Sequence, residues 1–162
     1  MKKSIWQNIL IFALAILIPL AVGITSALLT MDNMDIYSEI TRPPLSPPSI
    51  LFPIVWSILY TLMGISSAII FKNRNDDIEN ASLGLSFYAI SLAFNFVWSI
   101  IFFNFRYYLF AFVWLLVLLY LIIRTIILYS KVNKTAAYLQ IPYAIWVAFA
   151  GYLTFAIYLL NK

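Results

Sequence analysis

The sequence predicts an all-α membrane protein, a bundle of five transmembrane helices with a long proline-rich first loop. Of its 162 residues, 64% are hydrophobic and only 10% are charged, whereas a soluble domain carries about 25% charged residues. The apolar residues fall into blocks long enough to cross a bilayer, which takes about 20 residues. We expect a single domain over residues 1–162, with spans at about 5–29, 49–71, 81–103, 107–129 and 135–160.

The first block follows Lys2 and Lys3 and begins as a secretory signal would. It runs from about Ile5 to Leu29, which is too long for the apolar region of a signal peptide, and no Ala-x-Ala cleavage site follows it. We therefore expect this block to be retained as the first helix.

Three of the four breaks between the blocks are plain runs of polar and charged residues. The remaining break is hidden, because the chain is almost wholly apolar from Ala81 to Tyr129. A single helix of that length would be roughly 73 Å long at 1.5 Å per residue, more than twice the hydrocarbon thickness. The chain must turn within it, and Asn104-Phe105-Arg106 is the polar place to do so.

The basic residues predict the orientation, because cytoplasmic loops carry an excess of Lys and Arg. A cytoplasmic N-terminus puts seven basic residues on the cytoplasmic side: Lys2, Lys3, Lys72, Arg74, Arg124, Lys131 and Lys134. It leaves three on the outer side: Arg42, Arg106 and Lys162. We expect an integral protein of a bacterial cell membrane, with the N-terminus in the cytoplasm and the C-terminus outside.

Composition also limits the chemistry that the chain can perform. Without cysteine there are no disulfides and no thiol reactions, and without histidine the commonest metal ligand and general base are missing. We therefore expect no metal site. The net charge of +4 comes without any basic run, so nucleic acid is not an expected partner.

The first loop is stiffened by two Pro-Pro pairs, Pro43-Pro44 and Pro47-Pro48. Proline fixes φ and disfavours the helical region for the residue before it, so we expect an extended, semi-rigid loop. Pro47 or Pro48 is expected to start the next helix, where a missing N–H costs nothing. A rigid loop that leads into an aromatic helix indicates a lid over a pocket.

Three tryptophans and one asparagine lie too deep for the membrane interface, where Trp side chains usually collect. At 1.5 Å per residue, Trp56 and Asn95 lie roughly 11–12 Å below the outer helix ends, Trp98 lies about 8 Å deep, and Trp146 is near the middle of its span. Aromatic packing between helices and an interhelical hydrogen bond from Asn95 are the plain alternatives. A pocket beneath the loop accounts for all four residues together.

The third span has two opposite faces at 100° per residue. Asn95 and Trp98 share one stripe with Ser91 and Phe102. The opposite stripe holds small residues, which let helices approach closely in lipid: Ser82, Ser86, Ala89 and Ala93. We therefore expect a homodimer formed through this small-residue face.

Three motifs of proline, aromatic and asparagine residues follow one another along the chain. The first runs through Tyr37, Arg42-Pro43, Pro47-Pro48, Val55-Trp56, Leu59-Tyr60 and Met63-Gly64. The second holds Phe94-Asn95, Trp98 and Phe102-Phe103, and the third holds Pro142-Tyr143, Trp146 and Phe149-Ala150. In residue type and spacing these motifs resemble the TspO/MBR family of translocator and tryptophan-rich sensory proteins, once called peripheral benzodiazepine receptors, from about residue 36 to the end.

The resemblance implies a five-helix bundle, often a homodimer, that needs no cofactor and binds tetrapyrroles such as protoporphyrin IX beneath its first loop. Sterols and benzodiazepine-type compounds are further implied ligands. Carried over to matching positions, the implied ligand-binding residues are Trp56, Tyr60, Asn95, Trp98, Trp146 and Ala148. The implied lid consists of Tyr37, Arg42, Pro43, Pro47 and Pro48. Five positions depart from the family pattern: Arg42, Leu45, Ser91, Trp114 and Thr154.

Three functions fit this sequence. The first is a sensor, regulator or carrier that binds a tetrapyrrole, since flat aromatic walls suit a flat macrocycle and Arg42 can pair with a propionate. The second is a light-dependent porphyrin-degrading enzyme, for which Trp56 and Trp146 are the only catalytic candidates. The third is a transporter, although the one ionisable candidate within a span, Arg124, lies near an end. We expect binding rather than catalysis.

Overall fold

The computed structural model describes residues 4–162, so Lys2 and Lys3 of the orientation argument lie outside the described residues. Within that range every regular element is helical. The helices are α1 (Ile5–Thr30), α2 (Ile36–Glu39), α3 (Leu51–Lys72), α4 (Ile78–Ser99), α5 (Tyr108–Val132) and α6 (Lys134–Leu160). A 3₁₀ turn at Met31–Asn33 follows α1, and a π-helical turn at Ile100–Asn104 continues α4. Five of these helices are long and apolar enough to cross a membrane, which confirms the predicted fold class.

Polar caps begin three of the spanning helices near the predicted breaks. Ser4 begins α1 with a capping box, and the side chains of Asp77 and Asn133 accept backbone N–H groups at the starts of α4 and α6. Each cap satisfies a donor that the first helical turn leaves unpaired. Hydrogen bonds from the side chain and backbone of Asn80 lower the pKa of Asp77 below its ordinary value.

The hidden break lies at the predicted place. The π-helical turn ends at Asn104, Arg106 takes a left-handed conformation with φ of 57°, and α5 begins at Tyr108. Asn104 also anchors the end of α1. Its Nδ2 donates to the carbonyl oxygen of Leu29 at 3.1 Å, and its Oδ1 accepts from Nδ2 of Asn33 at 2.9 Å.

The prediction that Pro47 or Pro48 starts a helix was wrong, because α3 begins at Leu51. The N–H of Leu51 donates to the carbonyl of Pro48 at 3.0 Å in a turn that precedes the helix. The carbonyl of Pro47 instead accepts the hydroxyl of Tyr37, which holds this segment outside the helix. Pro53 falls within the first turn of α3, where a missing N–H breaks no helical bond.

The spanning helices pack as a ring in the order α1, α3, α6, α5, α4 and back to α1. Two glycines allow close crossings at the end away from the first loop. A Cβ on Gly64 would lie 2.5 Å from the Cα of Ile16, and one on Gly84 would lie 2.8 Å from the Tyr129 ring. We call this end the packed half of the bundle.

Hydrogen bonds between helices reinforce the packed half. The hydroxyl of Ser66 donates to the carbonyl of Ala136 at 2.7 Å and accepts from Nε2 of Gln140 at 3.2 Å. The hydroxyls of Ser67 and Tyr129 lie 2.9 Å apart. These side chains are buried. Their hydrogen bonds join α3 to α5 and α6 and stabilise this half of the bundle, which lies beneath the other half.

The predicted dimer face lies on the outside of the monomer. Its four residues are all exposed along α4: Ser82, Ser86, Ala89 and Ala93. The face is therefore free for another helix, and dimerisation through it stays a prediction.

Candidate ligand pocket

A cavity of about 400 Å³ lies under the first loop, in the half of the bundle that we call the cavity half. Its walls come from α1, α3, α4 with its π-helical turn, and α6, while α5 stands behind them. All the residues that line it belong to the described chain, and none of them is charged. Small-molecule pockets are of this size and are mostly apolar with a few polar groups.

Aromatic rings form much of the cavity wall. The Trp56 and Tyr60 rings stack with centroids 5.4 Å apart, and Trp146 meets Trp56 edge-on at 6.5 Å. Phe52 lies above Trp146 at 6.0 Å, and the ring of Trp98 completes the wall on α4. Such an arrangement presents both ring faces and ring edges to a ligand, and this geometry favours flat aromatic guests.

Asn95 both lines the cavity and forms a hydrogen bond between helices, the two roles that the sequence left open. It is only 2% exposed, its Nδ2 donates to the Tyr60 hydroxyl at 3.1 Å, and it lines the cavity. Gly23 of α1 makes room for the Tyr60 ring, since a Cβ at that position would collide with it. Three helices therefore fix the position of Tyr60 at the floor of the cavity.

The roof of the cavity is built around Tyr37 of α2. Its hydroxyl donates to the carbonyl of Pro47 at 3.0 Å, and its ring meets Phe52 edge-on at 5.2 Å. The guanidinium of Arg42 lies 5.1 Å from the centroid of the same ring. Arg42 is exposed and does not line the cavity, so a ligand carboxylate would meet it at the rim.

Side chains of α6 and of its C-terminal cap, Asn161, hold the roof in place, which was not predicted from the sequence. The hydroxyl of Tyr152 donates to the carbonyl of Pro44 at 2.9 Å. The Asn161 side chain accepts from the N–H of Thr41 at 2.9 Å and donates to its carbonyl at 2.8 Å. Leu45, which directly follows the Pro44 anchor, takes a left-handed φ of 68°, which is costly for a bulky side chain. No short sequence pattern marks contacts over more than a hundred residues.

Five of the six implied ligand-binding residues come together around the cavity: Trp56, Tyr60, Asn95, Trp98 and Trp146. The sixth, Ala148, does not. It follows Trp146 by two residues, which turns it by about 200° on the helix, and it is exposed on the outer face of α6. Among the lid residues, Tyr37 lines the cavity, and the carbonyl of Pro47 accepts its hydroxyl. Arg42 and Pro48 are exposed on the outer surface of the loop, whereas Pro43 is buried without lining the cavity.

The structure also accounts for some departures from the family pattern. Trp114 lies outside the cavity, where its Nε1 donates to the carbonyl of Phe94 at 2.8 Å and its ring stacks on Phe94. Ser91 is buried below the cavity and donates to the carbonyl of Tyr88. Thr154 does line the cavity, so this substitution changes the polar lining directly.

One complete wall of the cavity was not predicted, because no residue of the first span was expected in the site. Residues 20–30 of α1 supply six lining positions: Leu20, Gly23, Ile24, Ser26, Ala27 and Thr30. The only signal was the small residue at Gly23, which marks a close approach between helices. A uniformly apolar span gives no pattern that separates a pocket wall from a lipid-facing surface.

Fold and cavity together define an integral membrane protein with five spanning helices around an internal aromatic pocket. The sequence was also compared with known protein families, and one family matches. The TspO/MBR family pattern matches residues 15–160, and the chain belongs to this family.

Named relatives come from bacteria, archaea and mammals. The chain is 35% identical to the tryptophan-rich protein TspO of Chlorobaculum tepidum, over 96% of this chain and 98% of the relative. It is 36% identical to the protein of the same name from Archaeoglobus fulgidus, over 96% and 99%. It is 33% identical to the translocator protein of Ovis aries, over 78% of this chain and 75% of the relative.

Proposed function

We propose that this protein binds a tetrapyrrole such as protoporphyrin IX in the cavity beneath the first loop, and acts as a sensor, regulator or carrier. The observation that carries the proposal is the aromatic wall made by Trp56, Tyr60, Trp98 and Trp146 around an uncharged cavity. An apolar macrocycle gains from leaving water and stacks on such rings. Sterols and benzodiazepine-type compounds share the apolar character that this site selects.

The polar groups of the site lie at its two ends, one near the floor of the cavity and one at the roof. Asn95 is the buried hydrogen-bonding group near the floor, and it is already oriented by Tyr60. Arg42 is a cation of the first loop itself, with its guanidinium 5.1 Å from the centroid of the Tyr37 ring. A porphyrin would therefore bind with its ring between the tryptophans and its propionates towards Arg42, because a buried carboxylate without a partner is unfavourable.

An equilibrium titration with protoporphyrin IX, followed by porphyrin absorbance in the dark, tests this proposal. The Trp56→Phe/Trp146→Phe variant should bind more weakly by about tenfold, the loss of roughly 1.4 kcal/mol of aromatic contact. Trp114→Phe is the matched control, because Trp114 packs outside the cavity. Equal weakening in both variants, or no binding to the unmodified protein, would refute the proposal.

The same samples separate binding from catalysis. Trp56, Tyr60, Tyr143 and Trp146 form a continuous set of ring contacts, which is the observation that favours a photochemical function. Light-driven loss of the porphyrin band that disappears in the Trp56→Phe/Trp146→Phe variant would favour the degrading enzyme. A band that is stable in light favours the binding protein.

We further propose that the first loop faces outward and the N-terminus faces the cytoplasm of a bacterial cell. The basic residues at or next to the helix ends on that side, Lys72, Arg74, Lys131 and Lys134, support this orientation. Since the chain contains no cysteine, single substitutions report on sidedness without background. A membrane-impermeant maleimide should label Ser38→Cys in intact cells and leave Asn75→Cys unlabelled; the reverse result would invert the orientation.

A further inference from the structure

The cavity is not closed on the side between α1 and α3. Six of the residues that line it are also exposed. Met34 and Ser49 belong to the first loop, and the other four lie on the two helices: Ile24 and Ala27 on α1, and Pro53 and Ser57 on α3. Ile24, for example, is 60% exposed while it lines the cavity. A residue that meets both the cavity and the exterior lies at the rim of an opening, and these four form two facing pairs.

The opening lies within the depth of the hydrocarbon layer. Ile24 precedes the end of α1 by six residues and Ser57 follows the start of α3 by six, which places both roughly 9 Å below the helix ends at 1.5 Å per residue. The hydroxyl of Ser57 donates to the carbonyl of Pro53 in its own helix. The rim therefore presents an apolar surface with its polar group satisfied, as lipid requires.

Hydrogen bonds and ring contacts cross the other boundaries of the cavity. Asn104 and Asn33 tie α1 to the π-helical turn of α4, and the contacts of Trp146 with Phe52 and Trp56 close the boundary between α3 and α6. The roof is held by the hydrogen bonds of Tyr37, Tyr152 and Asn161.

The two helices that border the opening meet backbone to backbone at the far end, whereas at the floor of the cavity the contact is between Gly23 of α1 and the side chain of Tyr60. At the far end, Gly64 of α3 packs against the backbone of α1 at Ile16, too closely for a side chain. Over its whole length α1 buries only three residues: Pro19, Ser26 and Thr30. The helices can therefore part at the cavity while the Gly64 contact holds them together below.

We propose that the slot between α1 and α3 is a lateral portal, through which an apolar ligand dissolved in the bilayer reaches the cavity. The portal rests on the proposed function and adds the route and the ligand class: membrane-dissolved compounds rather than water-dissolved ones. Access through the roof requires the hydrogen bonds of Tyr37, Tyr152 and Asn161 to break. Access through the slot only displaces side chains and lipid, and the ligand never leaves an apolar environment.

A reversible cross-link across the slot tests the portal. The Ile24→Cys/Ser57→Cys variant in lipid nanodiscs is treated with a bifunctional methanethiosulfonate reagent, which bridges the two thiols and is removed by dithiothreitol. Stopped-flow mixing with protoporphyrin IX in the dark gives both binding rates. Cross-linking should slow association and dissociation together by about tenfold or more, as expected when a barrier rises by at least about 1.4 kcal/mol. Reduction should restore both rates.

The matched control is Ile9→Cys/Lys72→Cys, which joins the same two helices at the end away from the cavity. Its cross-link should leave both rates unchanged. Ala27→Cys/Pro53→Cys repeats the test one turn nearer the loop, and it replaces the first pair if that pair fails to fold or to cross-link.

The outcomes separate the two proposals. Absence of porphyrin binding before any cross-link would refute the proposed function, and the portal with it. Binding that is normal before cross-linking, with rates unaffected by a bridge at either slot pair, would overturn the portal and leave the proposed function standing.

Discussion

The two halves of this bundle use aromatic side chains in opposite ways: in one half they fill the space between helices, and in the other they surround a cavity. In the packed half, the aromatic side chain of Tyr129 fills the space next to Gly84, and its hydroxyl pairs with that of Ser67. In the cavity half, Trp56, Trp98 and Trp146 stand around a space of about 400 Å³ that they do not fill. Aromatic content alone therefore does not identify a pocket. What distinguishes the halves is whether a neighbouring helix approaches closely enough to occupy the space between the rings.

The largest expected effect is on stability and comes from the packed half. Gly64→Ala should lower the free energy of unfolding by about 1–3 kcal/mol, because overpacking forces the backbones of α1 and α3 apart. The measurement is denaturation in detergent followed by circular dichroism.

Gly151→Ala is the control for this prediction. Its added Cβ would meet only Phe112 at 4.0 Å, so the substitution should stabilise α6 by about 0.5–1 kcal/mol through lower backbone entropy. If Gly64→Ala were as stable as Gly151→Ala, the packed half would not be tightly packed at α1 and α3.

The next effect belongs to the cavity half and appears in ligand release. Replacing Pro47 and Pro48 with Gly removes about 0.4–1 kcal/mol of preorganisation at each position. Porphyrin binding should weaken by roughly 3- to 30-fold, mainly through a faster dissociation rate.

Stopped-flow dissociation measures this effect, and thermal stability should hardly change. Equal dissociation rates in two folded proteins would mean that the loop is only a connector. If most of the porphyrin leaves through the lateral portal, cross-linking the slot should slow porphyrin dissociation even in the double-Gly variant.

A pair of hydroxyl deletions compares the halves at smaller scale. Tyr60→Phe leaves Nδ2 of Asn95 without its partner, and Tyr129→Phe does the same to Ser67. Each loss costs about 1 kcal/mol of stability or more. Only Tyr60→Phe should also alter porphyrin affinity, since only Tyr60 lines the cavity. Matched titrations and melts of both variants check this; a change of affinity in Tyr129→Phe would show that the halves are coupled.

The smallest effect on binding is expected outside both halves. Ala89→Phe places a large side chain in the exposed small-residue face of α4, where it should weaken a homodimer and leave porphyrin affinity near normal. Light scattering in detergent gives the mass of the protein. A dimer mass that does not change would place the interface elsewhere.

Much of the fold followed from the sequence, because the constraints there are local. The length of each apolar block and the hidden turn at Asn104 are set by bilayer thickness and by the position of polar residues. The deep positions of Trp56, Asn95 and Trp146 likewise predicted one shared cavity. Ala148 was predicted to bind ligand but does not line the cavity. A sequence motif specifies residue types and spacing, and it does not specify the direction in which each side chain points.

The α1 wall and the anchors at Tyr152 and Asn161 could not have been found in this way. They depend on which helices become neighbours, and an all-apolar helix has no polar face to indicate its neighbour. The start of α3 was misplaced for a related reason. The contact between Tyr37 and Pro47 joins residues of different segments, and it outweighs the local preference of proline for the first turn.

If the cavity half is the ligand site, the indole N–H signals of the five tryptophans will report binding there. A two-dimensional ¹H–¹⁵N spectrum resolves one such signal per tryptophan, and a bound porphyrin shifts nearby signals through its ring current. Addition of one equivalent of protoporphyrin IX should shift the signals of Trp56, Trp98 and Trp146, which line the cavity, and leave those of Trp6 and Trp114 in place. Shifts confined to Trp6 or Trp114, in a protein that binds the porphyrin, would contradict the account.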